Sequence, residues 1–279
     1  MLRHSWFIAG AVAATITVLS LATAASAATW APPPVNAKFD YQIGGDYPLP
    51  RRASVVSRDW FSGSADARAY SICYVNAFQT QSDEEWVDRP DEKANWPRDL
   101  VLEELGDDPS WGGEYLVDLS SADKRARAAE WVQAMIESCA AKGFKAVEYD
   151  NLDSWTRFDG TPVEDRVPFG KRQAIAYAEL LTDRAHALGL AVAQKNTLGL
   201  RRRQVRMRIG FDFAIAEACG RYSECQDYRA LYGNRVIAIE YRRRDFRRAC
   251  KVVGKHVSVV LRDRSVTTPE SPTYRYAAC

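Results

Sequence analysis

Short, nearly continuous apolar runs alternate along this chain with longer stretches of helical periodicity, and that alternation leaves few folds open. The runs are Phe39–Ile43, Val55–Arg58, Tyr70–Tyr74, Ala146–Tyr149, Leu190–Gln194, Phe213–Ala216, Val236–Glu240 and Val257–Leu261, eight in all. A half-exposed strand alternates apolar and polar residues, whereas a strand covered on both faces does not. Most of these runs therefore read as parallel strands under helices. Two of the intervening helices are clear. One carries Ala129, Val132, Ile136 and Cys139 on a single stripe, with a capping-box pattern at Ser120 and Asp123 and a stop at Gly143. The other carries Ala174, Ala178, Leu181, Ala185 and Leu188 and stops at Gly189. Strand, helix and strand in repetition make a parallel sheet. Eight such strands predict an α/β protein with a single (β/α)8 (TIM) barrel. An open doubly wound sheet is the alternative, but the G-x-G-x-x-G turn that such sheets often carry is absent. Leu116–Leu119 reads as a possible ninth short strand.

The N-terminus has the pattern of an export signal: Arg3 and His4, an apolar run from Trp6 to about Ala22, then Ala25-Ser26-Ala27. The run is too short and too rich in Ala and Thr for a membrane span, which needs about 20 strongly apolar residues. We expect a signal peptide over 1–27, a proline-rich lead-in over 28–35 and a catalytic domain over 36–279. Cleavage after Ala27 would leave 252 residues, matching the usual (β/α)8 length of about 250. The secreted chain would hold 37 Lys and Arg against 36 Asp and Glu. That balance demands neither a nucleic-acid nor a membrane partner, and a monomer is expected. Two basic clusters, Arg201-Arg202-Arg203 with Arg206 and Arg208, and Arg242-Arg243-Arg244 with Arg247 and Arg248, read as solvated outer faces of helices.

Six cysteines (73, 139, 219, 225, 250 and 279) remain after the leader, and none forms a C-x-x-C pair. In an exported chain that favours disulfides, with 15 possible connectivities. Cys219 and Cys225 flank one loop and are close enough in sequence to bridge. Outside the leader only His186 and His256 are present, so a histidine-based metal site is not expected. His186 falls in mid-helix as a surface or packing residue. Serine-esterase, zinc-protease and phosphate-loop motifs are missing.

Reactive residues of a barrel sit at the C-terminal ends of its strands. Here those ends read Glu148-Tyr149-Asp150-Asn151-Leu152-Asp153, Gln194-Lys195-Asn196, Ala216-Glu217-Ala218-Cys219, Ile239-Glu240-Tyr241 and Arg262-Asp263. Two carboxylates across a cleft are what glycoside hydrolysis needs: one protonates the leaving oxygen, the other attacks the anomeric carbon or activates water. No cofactor is then required. Aromatic side chains near the ends (Trp60, Tyr74, Tyr149, Trp155, Tyr222 and Tyr241) offer faces on which sugars stack, Trp155 foremost.

The segments Phe39-Asp40-Tyr41-Gln42-Ile43, Gly143 to Asp153, Lys195-Asn196, Ala216-Glu217-Ala218-Cys219, Tyr222-Ser223-Glu224-Cys225 and Glu240-Tyr241, in this order, resemble glycoside hydrolase family 114, the endo-α-1,4-polygalactosaminidases, in a secreted actinobacterial type. The resemblance implies a (β/α)8 barrel with Asp150 and Glu217 as the catalytic pair. It implies a sugar site lined by Asp153, Lys195, Asn196 and Glu240; we add Asn151, Tyr241, Tyr74 and Trp155 to that site. The substrate implied is an extracellular polysaccharide rich in α-1,4-linked galactosamine. Such a polycation would meet acidic subsites, for which Glu148, Asp150, Asp153, Glu217 and Glu224 are candidates. Cys73 to Phe78, Tyr149 and Gln194 depart from the commoner family pattern. By analogy with barrels acting on α-galactosides, Asp150 is the nucleophile and Glu217 the proton donor, with Glu240 the rival donor. The rival function is a glycan-binding barrel that has lost catalysis; the presence of both acids argues against it.

Overall fold

The structure, a computed structural model, describes residue 1 and residues 29–81, 96–200 and 207–279; the expected signal peptide and the cluster from Arg201 to Arg206 lie outside them. Its central sheet runs β1 (Phe39–Gln42), β2 (Val55–Asp59), β3 (Tyr70–Asn76), β4 (Ala146–Asp150), β5 (Ala191–Lys195), β6 (Phe213–Glu217), β7 (Val236–Glu240) and β8 (Ser258–Arg262), each parallel to its neighbour. All eight coincide with the expected apolar runs to within two residues at either end. Helices α1 (Ala122–Ala141), α2 (Lys171–Ala187), α3 (Cys219–Tyr222), α4 (Cys225–Tyr232) and α5 (Arg243–Val253) lie in the connections. The fold is the predicted (β/α)8 barrel.

Closure depends on a strand the periodicity did not announce. Tyr276–Ala278 forms β9, antiparallel to β8. Its Tyr276 hydroxyl reaches the Phe39 carbonyl at 3.3 Å. Lys38 Nζ donates to the Cys279 carbonyl at 2.6 Å, and the fully buried Arg262 and Asp40 pair at 3.1 Å. Side chains thus seal the seam between β1 and β8. The expected strand at Leu116–Leu119 is instead a pair of isolated bridges, Gln79 to Leu116 and Val101 to Val117. The cap of α1 is Ser121, not Ser120: its hydroxyl accepts the Lys124 N–H at 3.1 Å.

The strands divide by parity, as successive side chains point to opposite faces. Phe39, Tyr41, Ile72, Tyr74, Ala146, Ala193, Phe213, Ile215, Ile237 and Ile239 pack together inside the barrel. Cys73, Val75, Val147, Tyr149, Val192, Ala214, Ala216 and Ala238 pack outward with the helices. Extended by two residues, the inner set includes Glu148, Asp150, Lys195, Glu217 and Tyr241. Glu240 falls on the outer set.

Three disulfides are formed: Cys73–Cys139, Cys219–Cys225 and Cys250–Cys279. The first ties the outer face of β3 to α1, and the last pins the chain end beyond β9 to α5. At the barrel base, Trp30 stacks on His186 with ring centroids 3.8 Å apart, and both bond Asp212. His186 is therefore a packing residue that anchors the lead-in. Among the described residues, no helix is long and apolar enough to cross a membrane.

Candidate active site

Lys195 stands at the centre of the barrel mouth, 1% exposed. Its ammonium lies 2.9 Å from Glu148 Oε1, 3.1 Å from Asp150 Oδ2, 3.6 Å from Glu217 Oε2 and 3.0 Å from the Tyr41 hydroxyl. A buried ammonium loses its hydration, which favours the neutral amine; three carboxylates outweigh that and hold Lys195 well above the ordinary lysine range. Glu148 lies beneath the floor of the cleft, fully buried, and accepts the Tyr41 and Ser57 hydroxyls at 2.8 Å each. Burial raises its pKa despite Lys195. It is the anchor of the lysine, not part of an acidic wall facing solvent.

Asp150 and Glu217 face the cleft above that lysine. Asp150 Oδ2 accepts from the Tyr74 hydroxyl at 2.9 Å and from Lys195, and Oδ1 accepts the Asn151 N–H at 2.7 Å. Burial pushes its pKa up, but Lys195 and these hydrogen bonds prevail and lower it. Glu217 Oε2 accepts from Asn196 Nδ2 at 2.9 Å, Oε1 accepts from the Tyr241 hydroxyl, and the Asn196 side-chain carbonyl holds the Glu217 N–H at 2.8 Å. Both carboxylates lie on one ammonium, so their nearest oxygens are within about 7 Å of each other. Backbone turns follow each of these strands: Asn151, Asn196 and Ala218 have φ of 62°, 46° and 56°. Such left-handed non-glycine residues are uncommon and cluster at functional sites.

The cleft over this centre has a volume of about 760 Å3 and is lined by Asp150, Asn151, Asp153, Trp155, Asn196, Glu217, Glu224 and Tyr241 among others. A 120 Å3 lobe continues past Asp150 toward Tyr74 and Asp59. Asp153 sits at the wall with its pKa raised, mainly by burial. Asn151 turns its side chain away: it donates to Asn76 at 2.9 Å and accepts from Arg157 at 2.5 Å, so it supports the wall. Tyr149 points to the helices, its hydroxyl on the Leu181 carbonyl at 3.1 Å, and Trp60 packs against the helix-side core. Neither is placed to stack a sugar.

A protein-family model for "Glycoside-hydrolase family GH114" matches residues 20–279. The chain belongs to that family. It is a glycosidase. Two solved structures share its fold. One is Ega3 of Aspergillus fumigatus in complex with galactosamine: 21% identity, 90% of this chain and 99% of that one covered, TM-score 0.69. The other is the glycoside hydrolase domain of PelA from Pseudomonas aeruginosa: 12% identity, 83% and 96% covered, TM-score 0.52. No curated protein matches the chain significantly.

Glu240 borders the same cleft beside Tyr241. Parity turns it out of the barrel lumen, it is 0% exposed, and its Oε1 accepts the Gly220 N–H at 2.5 Å at the start of α3. A side chain at Gly220 would collide with the Asp245 carbonyl at 2.5 Å, so glycine is what lets α3 seat on Glu240. Cys219, Cys225 and Glu240 could hold a metal only after the disulfide opened. Burial pushes Glu240 up to about 7, which has a measurable consequence. Below about pH 4.5 the carboxyl is protonated in both folded and unfolded chains. Between there and pH 7 only the folded chain keeps the proton, so stability falls as pH rises, by about 3 kcal/mol in total. Glu240→Gln should remove that slope. Melting curves of the two proteins between pH 4 and 8 that run parallel would refute it.

Several cleft residues gave no signal in the sequence. Trp111, Arg157 and Arg264 line the cleft from connections without periodicity, and Glu114 holds Asn76 at 3.0 Å from the long β3–α1 connection. Arg242 also lines the cleft, not the outer helix face expected of its cluster. The floor was legible: residues two apart along each strand share a face, which alone selects Glu148, Asp150, Lys195, Glu217 and Tyr241 and sets Glu240 on the opposite face.

Proposed function

We propose that this glycosidase is exported and cleaves α-1,4-linked, galactosamine-rich polysaccharide within the chain, with Asp150 as nucleophile and Glu217 as general acid/base. The observation that carries the reading is one buried ammonium shared by two carboxylates at the barrel mouth, 3.1 and 3.6 Å away. The shared ammonium keeps their nearest oxygens within about 7 Å, which is compatible with the retaining arrangement, whose carboxyls stand about 5–5.5 Å apart. Glu217 gives its proton to the glycosidic oxygen as an Asp150 oxygen attacks the anomeric carbon from the opposite face. The bond to the leaving sugar breaks, and a glycosyl ester on Asp150 remains. Glu217 then takes a proton from water as the water attacks the anomeric carbon and frees Asp150, with configuration retained.

Tyr241, whose phenol burial and Glu217 both hold in the neutral form, keeps donating to Glu217 throughout. Asp153 and Glu224 along the cleft would pair with the ammonium of an amino sugar, and Trp155, Tyr74 and Tyr241 would position rings. Three disulfides need an oxidising compartment, in agreement with an export signal whose removal would leave Ala28 at the N-terminus. The test is release of reducing ends from deacetylated and acetylated α-1,4-galactosaminogalactan. The deacetylated polymer should fall rapidly to a ladder of oligosaccharides. Release of monosaccharide only would overturn the internal cleavage, and no release from either polymer the substrate.

A further inference from the structure

The cleft carries two opposite charge zones. Its centre holds Asp150, Asp153, Glu217 and Glu224 with Lys195 and Arg157, whereas its rim holds Arg221, Arg242 and Arg264. All three rim arginines are exposed, and none has a carboxylate partner among the described residues. Arg157 in the same cleft shows the contrast: it pairs with Asp108 and Asp153 at 3.4 Å each. Two of the rim arginines also stand over an aromatic ring: Arg264 covers the Trp111 ring at 4.8 Å from its centroid, and Arg221 covers Tyr222 at 5.2 Å. Past Tyr241 and Arg264 the surface continues as a groove of about 880 Å3 that adds Arg243 and Arg275. Its one carboxylate, Asp263, is occupied by the Thr267 and Arg275 N–H groups and by Arg262 at 3.8 Å.

A polymer cationic along its whole length would gain nothing from such a rim and would be repelled by it. An aromatic face with a guanidinium beside it suits a sugar that stacks and carries an acid, because the planar fork of arginine matches a carboxylate in two parallel hydrogen bonds. We propose that the outer subsites of this enzyme bind carboxylate-bearing sugars, so that its substrate is a heteropolysaccharide with acidic residues flanking the hexosamine at the cleaved bond. This rests on the assignment of the cleft as a polysaccharide-cleaving site. The acidic centre takes the amino sugar; the rim arginines set the sequence of sugars around it.

Binding can be read without turnover on the full secreted chain carrying Asp150→Asn. The probes are α-1,4-linked galacturonate hexasaccharide, its methyl ester and a sulfated neutral galactan hexasaccharide, measured by calorimetry at about 50 and 500 mM salt. The free acid should bind about tenfold tighter than its methyl ester at low salt, and this preference should shrink at high salt. Each of Arg221→Gln, Arg242→Gln and Arg264→Gln should reduce the preference, and the triple variant should lose it with an unchanged melting temperature. Equal binding of acid and ester, or a preference that survives the triple change, overturns the proposal. Preference for the sulfated probe overturns the carboxylate assignment. Wild-type cleavage of galactosaminogalactan without any charge preference sinks this inference alone; charge preference without cleavage of any polymer sinks the proposed hydrolysis alone.

Discussion

Asp150→Asn should lower turnover on every substrate by on the order of 10⁴-fold or more, because the amide cannot supply the oxygen that forms the glycosyl ester. The substitution is nearly isosteric, and Glu148 and Glu217 still balance Lys195, so the protein should stay folded; the amide oxygen can accept from only one of the Tyr74 and Asn151 donors, so melting should fall by a few degrees. Its counterpart, Glu217→Gln, should cost about 10²–10⁴-fold on polysaccharide but spare substrates whose leaving group departs without a proton. Azide should then rescue the second step and trap an azide product of retained configuration. Glu240→Gln should show no such leaving-group dependence, since its carboxyl faces α3 and not the lumen. Steady-state kinetics with aryl glycosides of graded leaving-group acidity decide the matter. If Glu240→Gln shows the graded loss and Glu217→Gln does not, the donor assignment is wrong.

Lys195→Met should damage both stability and activity. It leaves Glu148, 0% exposed, and its two neighbouring carboxylates without their shared cation. Breaking a buried ion pair by deleting one partner costs about 3–5 kcal/mol, and in a domain of this size each kcal/mol shifts melting by about 2–4 °C. A drop of roughly 6–20 °C follows. The sign of its pH dependence is fixed as well. With the ammonium gone, mutual repulsion and burial raise the carboxyl pKa values above those of the unfolded chain. Folded protein then binds more protons, so stability is lost as pH rises from the unfolded carboxyl range toward neutrality. The deficit relative to wild type should be smaller at pH 4.5 than at pH 7.5. Equal deficits at the two pH values would show that Lys195 acts by packing and not by charge.

Much of this site was readable from the chain because strand periodicity is local. A residue's face follows from its neighbours two positions away, so the apolar inner residues Ala146, Ala193, Ile215 and Ile239 identify Glu148, Lys195, Glu217 and Tyr241 as lumen residues. The same rule places Glu240 on the outer face, after the outward Val236 and Ala238. The pairing of Cys219 with Cys225 was also within reach, as six positions of chain limit how far the two can separate.

What the sequence by itself determined is the alternation of eight buried strands with helices, the carboxylates and lysine at the barrel mouth, and the family they belong to. Tertiary structure alone decided how the barrel seam is sealed, which of the four remaining cysteines pair, and what surrounds the cleft. Sealing the seam brings Asp40 to Arg262, and crossing the mouth brings Trp111 to Arg264. These partners are separated by most of the strand ladder, and no local pattern links them. Their contacts follow from closing a sheet into a barrel, which brings its first and last strands, and the connections above them, onto the same rim.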